Sequence, residues 1–310
     1  MQQKEGGRMT GFICLDKPID ITSFSAVGIV KRAVGEKKAG HTGTLDPLAT
    51  GVLPVALGGA TRFIELFNTH DKAYEATIQL GMTTDTLDIT GEVMSKTESH
   101  VTKERLLEVL EGFRGNIRQV PPMYSALKKD GVRLYELARR GEEIEREERD
   151  ITIYSLTLDD FDEENQSFKI SVECSAGTYI RSLSDDIGRV MGCGATLTVL
   201  RRTKALGFTV ADCVTEDELK KLADEGRVGE ILISVEKAMK YDTVTVTDNQ
   251  AKRFRNGGYL EAVRIKTKLK PGSYYKVCSH SGEFAGIGEV SSDGDRLNVK
   301  RVYMGDLNNG

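Results

Sequence analysis

Apolar residues in the first 240 positions recur with two different periods, which predict helices and strands. Three valines spaced three to four residues apart, Val27, Val30 and Val34, predict a helix, and Gly35 marks its end. From Tyr74 to Leu80, apolar and polar residues alternate as in a strand with one buried face. The same patterns predict further helices over 103–113, 180–190 and 216–225, and further strands over 52–57, 151–157 and 168–174.

Helices and strands follow one another without a regular strand–helix–strand alternation. This favours an α+β fold with a mixed sheet over a doubly wound parallel sheet. After about residue 240 the pattern changes to short β-rich pieces at 263–265, 275–277 and 284–287, with hairpin signals at 281–282 and 293–294. We therefore expect two domains, residues 1–238 and residues 239–310, of which the second is a small all-β module.

Residues 125–149 form a markedly charged segment between the predicted elements. A segment of this composition is expected to leave the core and lie in solvent, as a helical hairpin or a flap. The acidic run at 159–164 is expected to be the turn between two strands. Basic residues cluster at 128–129, 139–140, 201–204 and 252–255. We therefore expect patches of basic surface although the net charge of the protein is −4.

The composition excludes several classes of protein. No apolar run of the 310 residues approaches the length of a membrane span, and the first eight residues are polar, so we expect a cytoplasmic protein with no membrane partner. The five cysteines are scattered without a paired motif. We therefore expect no disulfide framework and no metal site.

Residues 40–51 form the segment best suited to chemistry. They hold one carboxylate, Asp46, one imidazole, His41, and several glycines and threonines, with little that suits a core. Glycine lets a backbone approach a bulky ligand, and Pro47 forces Asp46 into an extended conformation. The pattern predicts a rigid, exposed loop that presents one acidic side chain, although an ordinary surface turn at the Asp-Pro pair would look similar.

Asp46 could act as a nucleophile, as a base, or as an electrostatic stabiliser of a cationic sugar. A glycosidase needs a second carboxylate, and Asp85 or Asp88 could supply it or could simply cap a turn. Arg181 lies in the first turn of a predicted helix. If it lies beside Asp46, its charge lowers the pKa of that carboxyl group.

Several motifs in this order resemble the TruB family of pseudouridine synthases. They are LDKP at 15–18 with TS at 22–23, GHTGTLDPLATGVLP at 40–54, DKAY at 71–74, LG at 80–81 with TTDT at 83–86, PPMYSALK at 121–128, GTYIRSL at 177–183 and LRRT at 200–203. The resemblance extends from about Phe12 to about Val302. One departure is Asp20, where the family usually has glycine. Aspartate tolerates a left-handed turn better than most residues, so we expect altered loop detail with activity retained.

The resemblance implies a pseudouridine synthase fold with a C-terminal PUA-like barrel, and the isomerisation of uridine 55 in the T-arm loop of tRNA without a cofactor. Asp46 matches the essential aspartate, which either attacks C1′ of the ribose or removes its 2′ proton. Tyr74 matches the tyrosine that stacks on the uracil, and Arg181 matches the partner of the aspartate. The implied substrate-binding residues are His41, which fills the space of the flipped base, together with Tyr179, Leu200 and Lys17.

The resemblance also implies how the protein meets RNA. Residues 125–149 match the insertion that embraces the RNA, and Lys128, Lys129, Arg139 and Arg140 are expected to contact phosphates. The PUA-like domain is expected to meet the acceptor end of the tRNA. The expected protein is a monomer that uses no guide RNA. Alternatives are a tRNA-folding chaperone without catalysis, a guide-RNA-dependent synthase, and an acid–base enzyme that acts on small glycosides.

Overall fold

The computed structural model describes residues 9–125, 127–129, 131–138, 140–142 and 144–305. Its α-helices are α1 (Ser23–Val34), α2 (Lys103–Glu111), α3 (Leu134–Ala138), α4 (Ile180–Met191), α5 (Glu216–Asp224), α6 (Val235–Ala238) and α7 (Asp248–Arg255). Short 3₁₀ helices span Gly58–Leu66, Val210–Asp212, Val228–Glu230 and Ala262–Arg264.

The strands fall into two large sheets and two small hairpins. They are β1 (Gly11–Lys17), β2 (Ala39–His41), β3 (Thr50–Leu57), β4 (Lys72–Leu80), β5 (Met82–Thr84), β6 (Val93–Lys96), β7 (Gly115–Gln119), β8 (Lys128–Lys129), β9 (Val132–Arg133), β10 (Arg149–Asp162), β11 (Ser167–Cys174), β12 (Ala195–Ala205), β13 (Phe208–Thr209), β14 (Cys213–Val214), β15 (Thr243–Val246), β16 (Leu260–Glu261), β17 (Tyr274–Ser279), β18 (Phe284–Val290) and β19 (Arg296–Val302).

The larger sheet has ten strands and confirms the predicted α+β class. Its order is β14-β1-β3-β12-β4-β11-β10-β7, with β2 beside β3 and β13 beside β12. The pairs β1–β14 and β3–β12 are parallel and the remaining pairs are antiparallel. Helices α1, α2, α4 and α5 contribute apolar residues to the main core under this sheet. The central strands β3, β12 and β4 bring together the segments that carry the candidate site.

The local patterns of the first half are largely confirmed. Thr22 caps α1 by accepting a hydrogen bond from the Ser25 amide, and Gly35 ends the helix at φ +72°. Burial alternates along β4 as predicted. Helix α2 ends at Glu111, a few residues earlier than expected.

Two sequence-based expectations are wrong in detail, and one of two alternatives left open for residues 125–149 is excluded for its described part. The acidic run predicted to be a turn begins inside β10, because residues 160–162 still pair with β11 while Asp160 and Asp162 are exposed to solvent. Val190 was placed on the buried stripe of α4, yet 54% of its surface is exposed. The described part of residues 125–149 is no helical hairpin, since it contains the small hairpin β8–β9 and the short helix α3.

The second sheet lies within residues 243–302, in the order β15-β17-β18-β19-β16. The expectation of an all-β module is wrong in one respect, because α7 packs on this sheet. A capping box between Thr247 and Gln250 starts α7, and its buried face holds Ala251 and Phe254. The apolar piece at 263–265, predicted as a strand, falls in the 3₁₀ turn Ala262–Arg264.

Aromatic residues join the two sheets in a shared hydrophobic cluster. The Phe63 ring, in the 3₁₀ helix that follows β3, lies 6.4 Å from the Phe284 ring and 6.3 Å from the Tyr303 ring. Such ring pairs stabilise a contact beyond the area that they bury. Among the described residues, no helix has both the length and the apolar character needed to cross a membrane.

Candidate active site

A cavity of about 230 Å³ opens between the loop that carries Asp46, strand β4 and the start of α4. Five of the residues proposed from sequence line it, namely Asp46, Tyr74, Tyr179, Arg181 and Leu200. The other lining residues are Thr44, Leu45, Lys72, Ser125, Gly177, Thr178 and Ile180. Among the described residues, no group of three or more histidine, cysteine, aspartate or glutamate side chains is arranged to hold a metal ion.

Asp46 and Arg181 form an ion pair at the wall of this cavity. Arg181 Nη2 lies 2.9 Å from Asp46 Oδ2, and the Arg181 side chain is only 5% exposed. The other side of the guanidinium faces Asp88, with Nε 3.7 Å from Oδ2. The fork of donors on an arginine holds a carboxylate in a fixed orientation, so Asp46 is aimed into the cavity.

Arg181 is also held by the backbone of two other segments. Its Nη1 donates to the carbonyl of Thr86 at 3.2 Å, and its Nη2 donates to the carbonyl of Tyr124 at 2.8 Å. Asp88 in turn accepts hydrogen bonds from the hydroxyl groups of Thr86 and Thr90. The sequence left open whether Asp88 is a second catalytic carboxylate or a turn residue. The structure places it behind Arg181, as part of a turn that orients the arginine.

The charge state of Asp46 depends on opposing effects. Burial raises the pKa of Asp46 above its ordinary value, and the nearby charge of Asp88 acts in the same direction. The charge and hydrogen bond of Arg181 lower it, as does the more distant Lys17. A carboxylate balanced in this way is less stabilised by solvent than a surface aspartate, and it remains 35% exposed to an incoming ligand.

Backbone contacts fix the loop around Asp46. The Leu45 amide donates to Ser23 Oγ at 2.7 Å, and Ser23 Oγ lies 2.9 Å from the Leu45 carbonyl oxygen. The Pro47 carbonyl accepts from the amide of Asp20 at 2.8 Å. The loop is therefore tied to the start of α1 and to the turn before it, on both sides of Asp46.

Asp20 occupies the left-handed conformation that its sequence position suggested, with φ of +67°. In this conformation its amide points at Pro47, which explains why glycine or aspartate suits the position. The departure from the family pattern therefore preserves the turn.

Lys17 is fully buried and lies outside the set of cavity-lining residues. Its Nζ donates to three carbonyl groups, those of Pro18 at 2.8 Å, Ile21 at 2.8 Å and Pro47 at 3.2 Å. Burial lowers the pKa of Lys17 to about 8, although Asp46 and Asp20 partly oppose this shift. Because its three donors are already used, Lys17 is placed to position the loop, and a direct contact with substrate stays a prediction.

Arg202 is a second buried arginine that sequence reasoning did not single out. It has no exposed surface. Its guanidinium donates to the carbonyls of Val52 at 2.8 Å, Thr44 at 3.2 Å and Gly43 at 3.2 Å. The sequence grouped it with Arg201 in a basic surface cluster, and only the parallel pairing of β12 with β3 reveals that the two arginines differ.

The approach of β12 to β3 depends on a glycine. Gly51 has φ of +100°, and a Cβ atom on it would lie 2.2 Å from the Arg202 carbonyl oxygen. A side chain at this position is therefore excluded on two grounds, the backbone conformation and the space. Gly51 thus allows the backbone of Arg202 to lie directly against the start of β3.

Tyr74 lies on the buried face of β4 and lines the cavity. Burial raises the pKa of Tyr74 to about 12, with the charge of Arg202 opposing the shift, so the phenol is neutral near pH 7. Tyr179 and Leu200 line the same cavity from the start of α4 and from β12. Two aromatic side chains and one apolar side chain thus line the cavity together with Asp46.

His41 is placed on β2, and it does not line the cavity. Its Nδ1 is buried and has no hydrogen-bond partner within the part of the chain that the structure describes. Burial, followed by the charge of Arg202, lowers the pKa of His41 below its ordinary value, which favours the neutral ring. A neutral imidazole suits stacking against a base.

The expected phosphate contacts are only partly described. Lys128 and Lys129 form strand β8, and their side chains lie outside the description. Arg139 lies outside the described residues, and Arg140 is exposed. Their contact with RNA therefore stays a prediction.

Comparison with known proteins gives matches over nearly the whole chain. Residues 31–180 match the model described as the N-terminal domain of TruB family pseudouridylate synthases. Residues 181–240 match the C-terminal domain of tRNA pseudouridylate synthase B, and residues 243–303 match the C-terminal domain of pseudouridine synthase II TruB. The second and third matches meet close to the predicted boundary between the two domains.

Curated relatives and solved structures agree with these matches. The tRNA pseudouridine synthase B of Pseudomonas fluorescens is 45% identical over 96% of this chain and 97% of its own length. The protein of the same name from Clostridium perfringens is 43% identical over 93% and 98%. A Cbf5-Nop10-Gar1 complex contains a chain with a TM-score of 0.73 and 27% identity, over 96% of this chain and 86% of the other. By these measures the chain belongs to the TruB family of pseudouridylate synthases.

Proposed function

We propose that the protein isomerises uridine 55 in the T-arm loop of tRNA to pseudouridine, with Asp46 as the reacting group. The observation that carries the proposal is the carboxylate of Asp46, held by the buried Arg181 at 2.9 Å and open to a cavity with the ring of Tyr74. The relatives named tRNA pseudouridine synthase B support the choice of tRNA as substrate.

The reaction moves the base within one nucleotide and leaves its atoms unchanged in number. The N1–C1′ bond breaks, the uracil turns, and C5 bonds to C1′ as the C5 proton leaves and N1 takes a proton. Asp46 either attacks C1′ to form an ester or removes the 2′ proton to form a glycal. In both routes Arg181 stabilises the ionised form of Asp46 that the first step requires.

The cavity accepts the base only after it leaves the stack of the T-arm loop. Flipping a base costs a few kcal/mol, and stacking on an aromatic side chain returns about 1–3 kcal/mol. We assign the stacking to Tyr74, and the filling of the vacated space to His41. Tyr179 and Leu200 then confine the flipped uracil from the other sides.

The wider proposal concerns the RNA and the cell. Residues 125–149 embrace the T-arm, with Lys128, Lys129, Arg139 and Arg140 at phosphates, and residues 239–310 act as a PUA-like domain at the acceptor end. The protein works as a monomer in the cytoplasm, where its substrate is found, without a guide RNA. The structurally similar chains in H/ACA complexes make the guide-RNA question worth a direct test.

The test is tritium release from a T-arm stem-loop that carries [5-³H]uridine at the target position. The wild-type protein should release tritium without a guide RNA, and Asp46→Asn should lower the rate by about a thousandfold or more, as expected for loss of a reacting group. Asp159→Asn is a matched control, because Asp159 is an exposed aspartate whose carboxylate accepts a hydrogen bond from Ser171.

Comparable rates for the wild type and Asp46→Asn would refute the catalytic role. Tight binding with no release by the wild type would indicate the chaperone alternative. Release only after a guide RNA is added would overturn the stand-alone proposal.

A further inference from the structure

Lys72 lines the same cavity as Asp46 and Tyr74, and the site described so far gives it no role. It is the first residue of β4, and Tyr74 follows two positions later, so both side chains leave the same face of the strand. Lys72 therefore lies where the cavity meets the first residue of β4, two residues before Tyr74, whose ring is proposed to hold the uracil.

The other cations of the site are already occupied. Arg181 binds Asp46 and Asp88, while Arg202 and Lys17 each donate to three carbonyl groups. Lys72, by contrast, has neither a hydrogen bond nor an ion pair with any of the described residues. A partly buried ammonium without a counterion is costly, and an anionic ligand would remove that cost.

The surroundings of Lys72 also favour an anion. A Cβ atom on Gly43 would lie 3.8 Å from Lys72 Cε and 3.8 Å from Arg202 Nη1, so both side chains end beside the same loop residue. Burial and then the charge of Arg202 lower the pKa of Lys72. The charges of Lys72 and Arg202 therefore lie on either side of one glycine backbone, next to the cavity. A bound oxyanion would stabilise this pair of cations.

We propose that Lys72 binds a backbone phosphate of the flipped nucleotide and so positions the ribose against Asp46. The inference rests on the proposed function, because an RNA substrate is what brings a phosphodiester to this cavity. The uracil carbonyl groups are the competing contact, and they carry no full charge. Lys72 is a substrate-binding residue in this proposal, and Asp46 performs the chemistry.

The first experiment compares Lys72→Met with Lys72→Arg on the tritiated stem-loop. Lys72→Met should lower kcat/KM by about tenfold to one hundredfold, the range for loss of a charge-assisted hydrogen bond, and Lys72→Arg should recover most of the rate. Lys204→Met is the matched control, because Lys204 lies on the neighbouring strand β12 and its charge is already paired with Glu173. The control should stay within about twofold of the wild type.

The second experiment identifies the atom that Lys72 contacts. Stem-loops with a neutral methylphosphonate on the 5′ or the 3′ side of the target uridine are compared in both proteins. One of the two should slow the wild type by the same factor as Lys72→Met and should cause no further loss in that variant. Fully additive losses at both positions would overturn the phosphate contact and indicate the uracil instead.

The salt dependence of binding gives a measurement that does not need turnover. For Lys72→Met, the slope of log affinity against log salt should fall by about 0.7 to 0.9, the value for one lost phosphate contact. An unchanged slope would overturn the inference. If the wild type binds the stem-loop but releases no tritium, the proposed function fails, and the slope still decides the role of Lys72.

Discussion

The two buried arginines of the site make a useful contrast, because only one of them is paired with carboxylates. Arg181 pairs with two carboxylates, Asp46 and Asp88. Arg202 meets carbonyl oxygens, and burial lowers its pKa, with Tyr74 opposing that shift. The first arrangement controls the charge of Asp46, the proposed reacting group, whereas the second controls the shape of the loop that carries it.

The contrast also distinguishes what is lost when each arginine is removed. The charge of Arg181 is compensated inside the protein, so its removal leaves Asp46 with a changed charge balance. The charge of Arg202 is compensated only by dipoles, so its removal takes a donor from one buried and two partly buried carbonyl groups. Substitutions at the two positions should therefore damage different properties.

The largest effect is expected for Arg181→Met. Without the cation that stabilises ionised Asp46, kcat should fall by about one hundredfold to one thousandfold, or about 3 to 4 kcal/mol of transition-state stabilisation. The affinity for the stem-loop should change little. Single-turnover tritium release and a binding titration measure the two quantities, and Arg189→Met is the control, because Arg189 is on the same helix but is 72% exposed. A loss of affinity with kcat retained would show that Arg181 contacts a phosphate.

A smaller effect, on folding, is expected for Arg202→Met. One buried and two partly buried carbonyls lose this donor, so the free energy of unfolding should fall by about 2 to 3 kcal/mol. Arg201→Met is a closely matched control, because Arg201 is the neighbouring residue, pairs with Asp16 at 2.7 Å and is 32% exposed. Its loss should cost less than about 1 kcal/mol. Equal urea midpoints for the two variants would remove the distinction between the two buried arginines.

The smallest effect is a pH-dependent change in stability for Asp46→Asn. Because burial raises the pKa of Asp46 in the folded state, ionisation of this group disfavours folding, and the wild type loses stability as pH rises through the folded pKa. The variant should therefore be more stable than the wild type near pH 7, and the difference should vanish below the ordinary pKa of aspartate. Urea unfolding between acid and neutral pH measures this difference. A variant that is less stable at neutral pH would show that the pair with Arg181 outweighs burial.

The sequence predicted the parts of the fold that depend on local pattern. The stop at Gly35 and the alternation along β4 are decided by neighbours in the chain, so they could be predicted without the structure. Helix α7 was missed because its charged face conceals two buried positions, Ala251 and Phe254. The exposure of Val190 depends on how α4 sits on the sheet, which no local period determines.

For the site, the sequence motifs identified most of the residues, whereas their burial and their partners depend on how distant strands pair. Asp46 and Arg181 were singled out from the residue pattern, the resemblance gave Tyr74 its expected role, and the structure gathers all three in one cavity. Arg202 was missed because a basic pair in the sequence looks like surface, and only long-range pairing buries one member of it. The absence of a partner for Lys72 among the described residues likewise depends on three strands and a loop meeting.

The aromatic contacts between the two sheets connect the loop that carries Asp46, through β3, to the C-terminal module. Strand β3 begins directly after the loop with Asp46, runs for about 26 Å at ordinary strand spacing, and continues into the 3₁₀ helix whose Phe63 packs on Phe284 and Tyr303. The loop with Asp46 and the C-terminal module thus keep a set separation. If both regions bind RNA as proposed, an RNA in which the target uridine and the second contact are spaced differently would bind only one region at a time.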